Sequence, residues 1–272
     1  MISLLYLALS LAISASRAVS LPSLPRMCSS RQIFMAMSTP TIALTRENGA
    51  NDKLSSLLKG YKCVEIPCIE FELREDASRL QSELLLHDII AITSPQSASI
   101  FIEAWSSAGK PPVNVVTVGK GTSTPLEKVG ILPAFTPSDF NAETLALELP
   151  TELGCRVLYP TSALAENTLQ AGLERRGFQV KRMNTYSTVP AKWTAEQLEA
   201  AQRVDIVTLA SPSAVKTWAE RAGTDFAVVA IGPGCARAAE SAGFREVFCP
   251  AGSKGVEAWA REIERVASSL KL

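Results

Sequence analysis

The stretch IIAITSPQSASIFIEAW (89–105) returns about 115 residues later as VDIVTLASPSAVKTWAE (204–220): an apolar, β-rich run, then Ser-Pro, then an amphipathic segment holding a tryptophan. The likeness extends outward in both directions. VVTVGKGTSTPLEKVG (115–130) aligns with AVVAIGPGCARAAESAG (227–243), setting Gly119 on Gly232, Gly121 on Gly234 and Gly130 on Gly243. TPSDFNAETLALEL (136–149) and CPAGSKGVEAWAREI (249–263) close the two copies with a proline, a polar turn and a last helix. Upstream, TIALTRENGANDKLSSLLKGYKCVEIP (41–67) and CRVLYPTSALAENTLQAGLERRGFQVKRM (155–183) both read strand, turn, helix, glycine, strand. A repeat of this length is a duplicated structural unit. Short apolar strands alternating with helical stretches of about 10 to 15 residues specify a parallel sheet covered on both faces, so the class is α/β and doubly wound.

The 272 residues, 47% of them hydrophobic, can bury one large core or two ordinary ones, and the duplication favours two. Basic and acidic side chains balance at 27 each, which leaves no basic face for a nucleic-acid backbone. The six cysteines (28, 63, 68, 155, 235 and 249) show no C-x-x-C spacing, so they read as packing thiols in a reducing compartment.

The first forty residues stand apart. LLYLALSLAI gives way to Ser14, Ala15 and Ser16, as the hydrophobic segment of a signal peptide does, and is too short to span a bilayer. A serine-rich tract with Arg17, Arg26 and Arg31 follows, and the first acid of the chain is Glu47. The series reads as a bipartite signal-plus-transit leader (1–40) delivering the protein to a plastid, the alternative being a secretory signal followed by a flexible linker. The mature chain is expected to have no membrane attachment.

In an open α/β sheet, ligands bind at the carboxyl ends of strands, where turns lead into helix N-termini. The turns predicted there are TREN (45–48), TSPQS (93–97), GKGTST (119–124), PTSALAEN (160–167), SPS (211–213) and GPG (232–234). They offer hydroxyls and backbone N–H groups that stabilise an anion. Taken singly, Ser94-Pro95 and Ser211-Pro212 are ordinary helix caps; six such turns around one cleft suit a flexible, multiply carboxylated ligand. No phosphate-binding loop or metal-ligand spacing is present, and the sole histidine, His87, reads as structural. Tyr186, in the extended segment MNTYSTVPA (183–191), reads either as an aromatic packed at a hinge or as the candidate proton donor, expected to face the space between domains.

The series TRENG, ITSPQSA, VGKGTS, NTYSTV, LASPSAV and IGPGCARA, in that order and spacing, resembles the uroporphyrinogen-III synthase family over nearly all of residues 41–268. The resemblance implies two flavodoxin-like parallel-sheet domains, one from 41–65 plus 192–272 and the other from 74–182. They would be joined by an antiparallel two-stranded connector (66–73 and 183–191) that stands outside the parallel sheets. It implies a hydro-lyase that works without metal or organic cofactor. Hydroxymethylbilane would lose its hydroxyl as water and close with inversion of the last pyrrole ring through a spiro intermediate. Tyr186 would assist the departing hydroxyl. Ser94, Gly119, Thr122, Ser162, Ser211, Gly232 and Gly234 would line the cleft, and Arg46 would pair with a substrate carboxylate. The expected form is a monomer, with substrate handed over by hydroxymethylbilane synthase. One departure from the family pattern is that Gly234 and Cys235 stand where many members have threonines, so that turn would contribute backbone N–H groups alone.

Two other readings compete. A two-lobed binding protein of the periplasmic type also has duplicated α/β lobes, but this chain has only four tryptophans (105, 193, 218 and 259), most in helical stretches. A regulatory module of the same fold would be expected to accompany a partner domain.

Overall fold

The computed structural model describes residues 39–252 and 255–270. The leader read over residues 1–40 lies outside these, save its last two residues. From the N-terminus the chain forms β1 (Thr41–Leu44), α1 (Asp52–Leu57), β2 (Lys62–Glu65) and β3 (Ile69–Leu73). Next come α2 (Glu75–Glu83), β4 (Ile89–Ile92), α3 (Pro95–Ser107), β5 (Val115–Thr117), α4 (Lys120–Glu127), α5 (Ala142–Glu148), β6 (Arg156–Ser162), α6 (Thr168–Arg175) and β7 (Gln179–Pro190). The remainder is α7 (Ala195–Ala201), β8 (Ile206–Leu209), α8 (Pro212–Ala222), β9 (Ala227–Ala230), α9 (Pro233–Ser241), β10 (Glu246–Phe248) and α10 (Val256–Ser269).

Two five-stranded sheets result, ordered β10-β9-β8-β1-β2 and β3-β7-β6-β4-β5. All pairings in the first sheet are parallel. Its sequential order, 2-1-3-4-5, is the flavodoxin-like one. The second sheet repeats it: β7-β6-β4-β5 matches β2-β1-β8-β9 strand for strand. The register matches as well. Ile42 lies beside Ile206 in the first sheet as Val157 lies beside Ile89 in the second. A parallel bridge from Phe135 to Val116 stands where β10 pairs Phe248 with Val229.

Alternation along the strands sorts side chains to two faces, because successive residues point to opposite sides. In the first sheet Ala43, Val207, Leu209 and Val228 pack with Trp218 of α8, while Ile42, Leu44, Ile206 and Val229 pack with Trp259 of α10. In the second sheet Ile90, Ile92 and Leu158 meet Phe101 of α3, and Ile89, Val116 and Val157 meet Leu145 and Leu169 of α5 and α6. Each fully buried large side chain contributes roughly 1.5–3 kcal/mol.

β3 runs antiparallel to the second half of β7, from Ile69 opposite Pro190 to Leu73 opposite Tyr186. The segment 183–191 does not stand outside the parallel sheets, however. β7 is one continuous strand, and it stays parallel to β6 from Gln179 as far as Tyr186. The pattern of MNTYSTVP hid this, because the strand pairs with β6 along one edge over its first part and with β3 along the other edge over its last part. At its far end the ladder is tied to the first sheet's helices. Trp193 Nε1 donates to the Pro67 carbonyl at 2.7 Å, Arg221 donates to the Ala191 carbonyl, and Trp193 packs edge-on against Trp218.

Candidate active site at the strand carboxyl ends

β4 ends at Ile92, and after Thr93 comes Ser94, the N-cap of α3, with Pro95 at the first helical position. The fixed φ of proline suits that position, and the serine oxygen accepts from an otherwise unpaired amide, that of Ser97, at 3.0 Å. The Ser94 hydroxyl donates to Ser97 Oγ at 2.9 Å, and its oxygen also lies 3.0 Å from the Tyr186 hydroxyl. With the single Ser94 proton directed to Ser97, the phenol is the donor to Ser94.

Tyr186 stands where three strands meet. It faces Leu73 of β3 on one side and Ser162 of β6 on the other, and the β6 register shifts between Thr161 and Ser162. Such an irregularity re-aims a side chain. The ring is 5% exposed and packs edge-on against Phe71 at 5.4 Å between centroids. Tyr186 therefore does not spread its ring across an interdomain space. Its body belongs to the second sheet's core, and the hydroxyl is held at Ser94.

Ser162 is the last residue of β6, so the turn expected over 160–167 begins only after it. Its oxygen accepts from Leu164 N at 3.1 Å, and Ala163 N donates to the Tyr186 carbonyl at 2.7 Å. Arg182, which the sequence did not single out, clamps this turn by donating to the carbonyls of Ser162 and Ala165. Beside β5, Gly119 caps α4 with no side chain. Thr122 is buried one turn into α4, its amide bonded to the Gly119 carbonyl at 2.9 Å. Ser94, Gly119, Thr122, Ser162 and Tyr186 thus share one end of the second sheet.

The other candidates occupy the matching end of the first sheet. Ser211 caps α8 and accepts from Ala214 N at 3.2 Å, with Pro212 behind it. Gly232 caps α9 without a side-chain bond, so the first amides there stay open to an anion. Cys235 is buried against the Leu209 carbonyl at 3.3 Å, and burial pushes its thiol up to about 11. That turn offers backbone N–H groups, not a reactive side chain. Arg46 folds back onto its own loop, bonding the Ala50 carbonyl at 3.0 Å and lying 3.5 Å from Glu47.

His87 lies at the opposite, amino-terminal end of β4, its Nδ1 2.9 Å from the Glu83 carbonyl. Among the described residues no group of three or more His, Cys, Asp or Glu side chains is placed to hold a metal ion, and no helix is long and apolar enough to cross a membrane.

The family model described as Uroporphyrinogen-III synthase HemD matches residues 52–256. The chain belongs to the uroporphyrinogen-III synthase family. It is 36% identical over 250 residues to the chloroplastic uroporphyrinogen-III synthase of Oryza sativa subsp. japonica, covering 85% of this chain and 82% of that one. Among solved structures, the uroporphyrinogen-III synthetase of Helicobacter pylori superimposes with a TM-score of 0.61 at 14% identity, covering 84% of this chain and all of that one. A mutant of the Thermus thermophilus synthase gives 0.56 at 16% identity, covering 85% and 99%. At such identities these two structures speak for the two-domain α/β fold. The chain is an enzyme of porphyrin biosynthesis, a lyase, and the binding-protein reading finds no support.

Proposed function

We propose that this enzyme takes hydroxymethylbilane and closes it at the carboxyl-end turns of the two sheets, with the hydrogen-bonded Ser94–Tyr186 pair at the point where the hydroxyl departs. The observation that carries this reading is the 3.0 Å contact between those two hydroxyls, held by a helix cap on one side and a three-strand junction on the other. The leaving oxygen takes a proton supplied by Tyr186, directly or through Ser94, and departs as water. The terminal methylene then carries the electron deficiency that the last pyrrole ring attacks. Attack through the substituted α-carbon of that ring gives a spiro intermediate. The bond from this carbon to its original methylene then breaks, the methylene bonds to the ring's free α-carbon, which inverts the ring, and the proton lost there restores the phenol.

Little covalent chemistry is asked of the protein, so its contribution is orientation and placement of charge. The open amides at Gly119 and at Gly232 and Gly234 suit substrate carboxylates, as do the cap turns at Ser211 and Ser162. Arg46 would reach a carboxylate only by exchanging its contacts with Ala50 and Glu47. Thr122, being buried with its amide bonded to the Gly119 carbonyl, serves by holding the turn from beneath.

The same reading divides the chain into domains at 41–65 with 192–272 and at 74–182, with the β3–β7 ladder between them. It takes the protein as a monomer. Receipt of substrate from hydroxymethylbilane synthase fits the lability of hydroxymethylbilane. A plastid location is supported by the acid-free Arg/Ser tract before Glu47 and by the chloroplastic rice relative.

The test is to supply freshly made hydroxymethylbilane, oxidise the product and separate the uroporphyrin isomers. An excess of type III is expected. Type I alone, from folded protein, would refute the reading, since that isomer forms without an enzyme.

A further inference from the structure

Exposed large apolar side chains are unremarkable one at a time, but two of them occupy a particular place. Phe140 and Leu164, each 66% exposed, sit on turns at the carboxyl-terminal end of the second sheet. The matching turns of the first sheet present no exposed large apolar side chain among the described residues. In the order β3-β7-β6-β4-β5, Leu164 follows β6, between the strands of Tyr186 and Ser94, and Phe140 lies over the turn that follows β5, so the two residues flank Ser94.

Both are held by built turns. Phe140 lies against Gly119 so closely that a Cβ on that glycine would be 3.0 Å from the ring's Cγ, while a Cβ on the equivalent Gly232 would meet nothing within 4 Å. The Phe140 turn is braced on one side by Ser138, whose amide donates to Glu148 at 2.8 Å, and on the other by Asn141, which caps α5 by accepting from Thr144 N at 2.8 Å. Leu164 is braced through its amide to Ser162 Oγ and by the Arg182 clamp on Ser162 and Ala165. A side chain kept exposed by a rigid turn loses little entropy on binding.

A linear tetrapyrrole has two kinds of surface, the apolar faces of its rings and its ring of carboxylates. We propose that Phe140 and Leu164 are substrate-contact residues that take the faces of two pyrrole rings on either side of Ser94, leaving the carboxylates to the turn amides. Rings are then gripped at the second sheet, and charge at the turns of both. An aromatic face on Phe140 receives a π-rich ring in offset or edge-on geometry. The inference rests on the placement of the active site at this end of the sheets.

The test is steady-state kinetics on the full chain with hydroxymethylbilane, comparing Phe140→Ala, Phe140→Tyr and Leu164→Ala with Leu132→Ala, an exposed apolar residue (78%) distant from these turns. Phe140→Ala should raise KM by about tenfold and Leu164→Ala by a few fold, with kcat and melting temperature nearly unchanged. Phe140→Tyr should restore KM, and Leu132→Ala should match the parent. Unchanged KM in both alanine variants, while Tyr186→Phe and Ser94→Ala slow turnover, would overturn the proposal and leave the site where it is. If all four variants behaved like the parent, the placement of the site itself would fall, and the proposal with it.

Discussion

Ser94 Oγ and Tyr186 Oη stand 3.0 Å apart although 92 residues separate them in the chain. The contact joins the cap of α3 to the strand that carries the chain between sheets, so one serine serves two structures. Its counterpart by duplication, Ser211, accepts only from Ala214 N among these groups.

That difference is measurable. Ser211→Ala should cost about 1 kcal/mol, the usual loss of a helix cap. Ser94→Ala should cost about 2 kcal/mol, since the phenol of a nearly buried tyrosine loses its partner as well. Urea unfolding of the two variants reads the difference, and equal losses would mean that the Ser94–Tyr186 bond contributes nothing to stability.

Gly154 and Gly130 both have positive φ, +120° and +88°, but only Gly154 is crowded. A Cβ there would fall 2.3 Å from Asp88 Cβ, whereas at Gly130 it would meet nothing within 4 Å. Gly130→Ala should cost about 1 kcal/mol for the conformation alone. Gly154→Ala should cost about 3 kcal/mol or more, because Asp88 must move and its bonds to the amides of Cys155 and Arg156 break.

The fold was legible in the sequence because the duplication put Ser-Pro and glycine turns at equal places in two copies, and each such turn fixes a strand end and a helix start. The residues of the β3–β7 ladder read only as extended chain; its antiparallel pairing came from the family resemblance. Its alternation is set by one face, while its pairing partners change at Tyr186, and no local pattern records a change of neighbour. Within the site, the cap roles of Ser94 and Ser211 follow from Ser-Pro alone. The burial of Tyr186 and Thr122 and the Arg182 clamp depend on contacts between separate segments, whereas the closing of Arg46 onto Ala50, four residues on, is set by a local loop conformation. Cys155 was read as a packing thiol and is exposed, since it precedes β6 at the surface.

Acid should weaken the protein through Asp88. The Arg156 guanidinium and two backbone amides hold this carboxyl well below the usual carboxylate range. A lowered folded pKa contributes stability that is present above the unfolded value, about 3.9, and is lost as pH falls through the folded one. Asp88→Asn should therefore be less stable than the parent at neutral pH, with the gap narrowing below about pH 4. A pH series of thermal melts checks the sign, and a gap that widened in acid would contradict it.

Thiol reagents should separate the cysteines. Burial pushes the Cys68 thiol up to about 12 and the Cys235 thiol up to about 11, so both remain protonated and inaccessible at pH 8. Cys155 is exposed. Alkylation of native protein followed by peptide mass spectrometry should find Cys155 modified ahead of Cys68 and Cys235, and the order should disappear in urea.

The most direct test of the account is the turnover of Tyr186→Phe with hydroxymethylbilane, read together with the ratio of type III to type I product. The substitution keeps the ring against Phe71 and removes only the hydroxyl that meets Ser94, so the fold should persist. A kcat lower by roughly 10²-fold, with type I product rising as spontaneous closure competes, is the expected result. Parent-like kcat with undiminished type III product would show that the Ser94–Tyr186 pair takes no part in the loss of the hydroxyl.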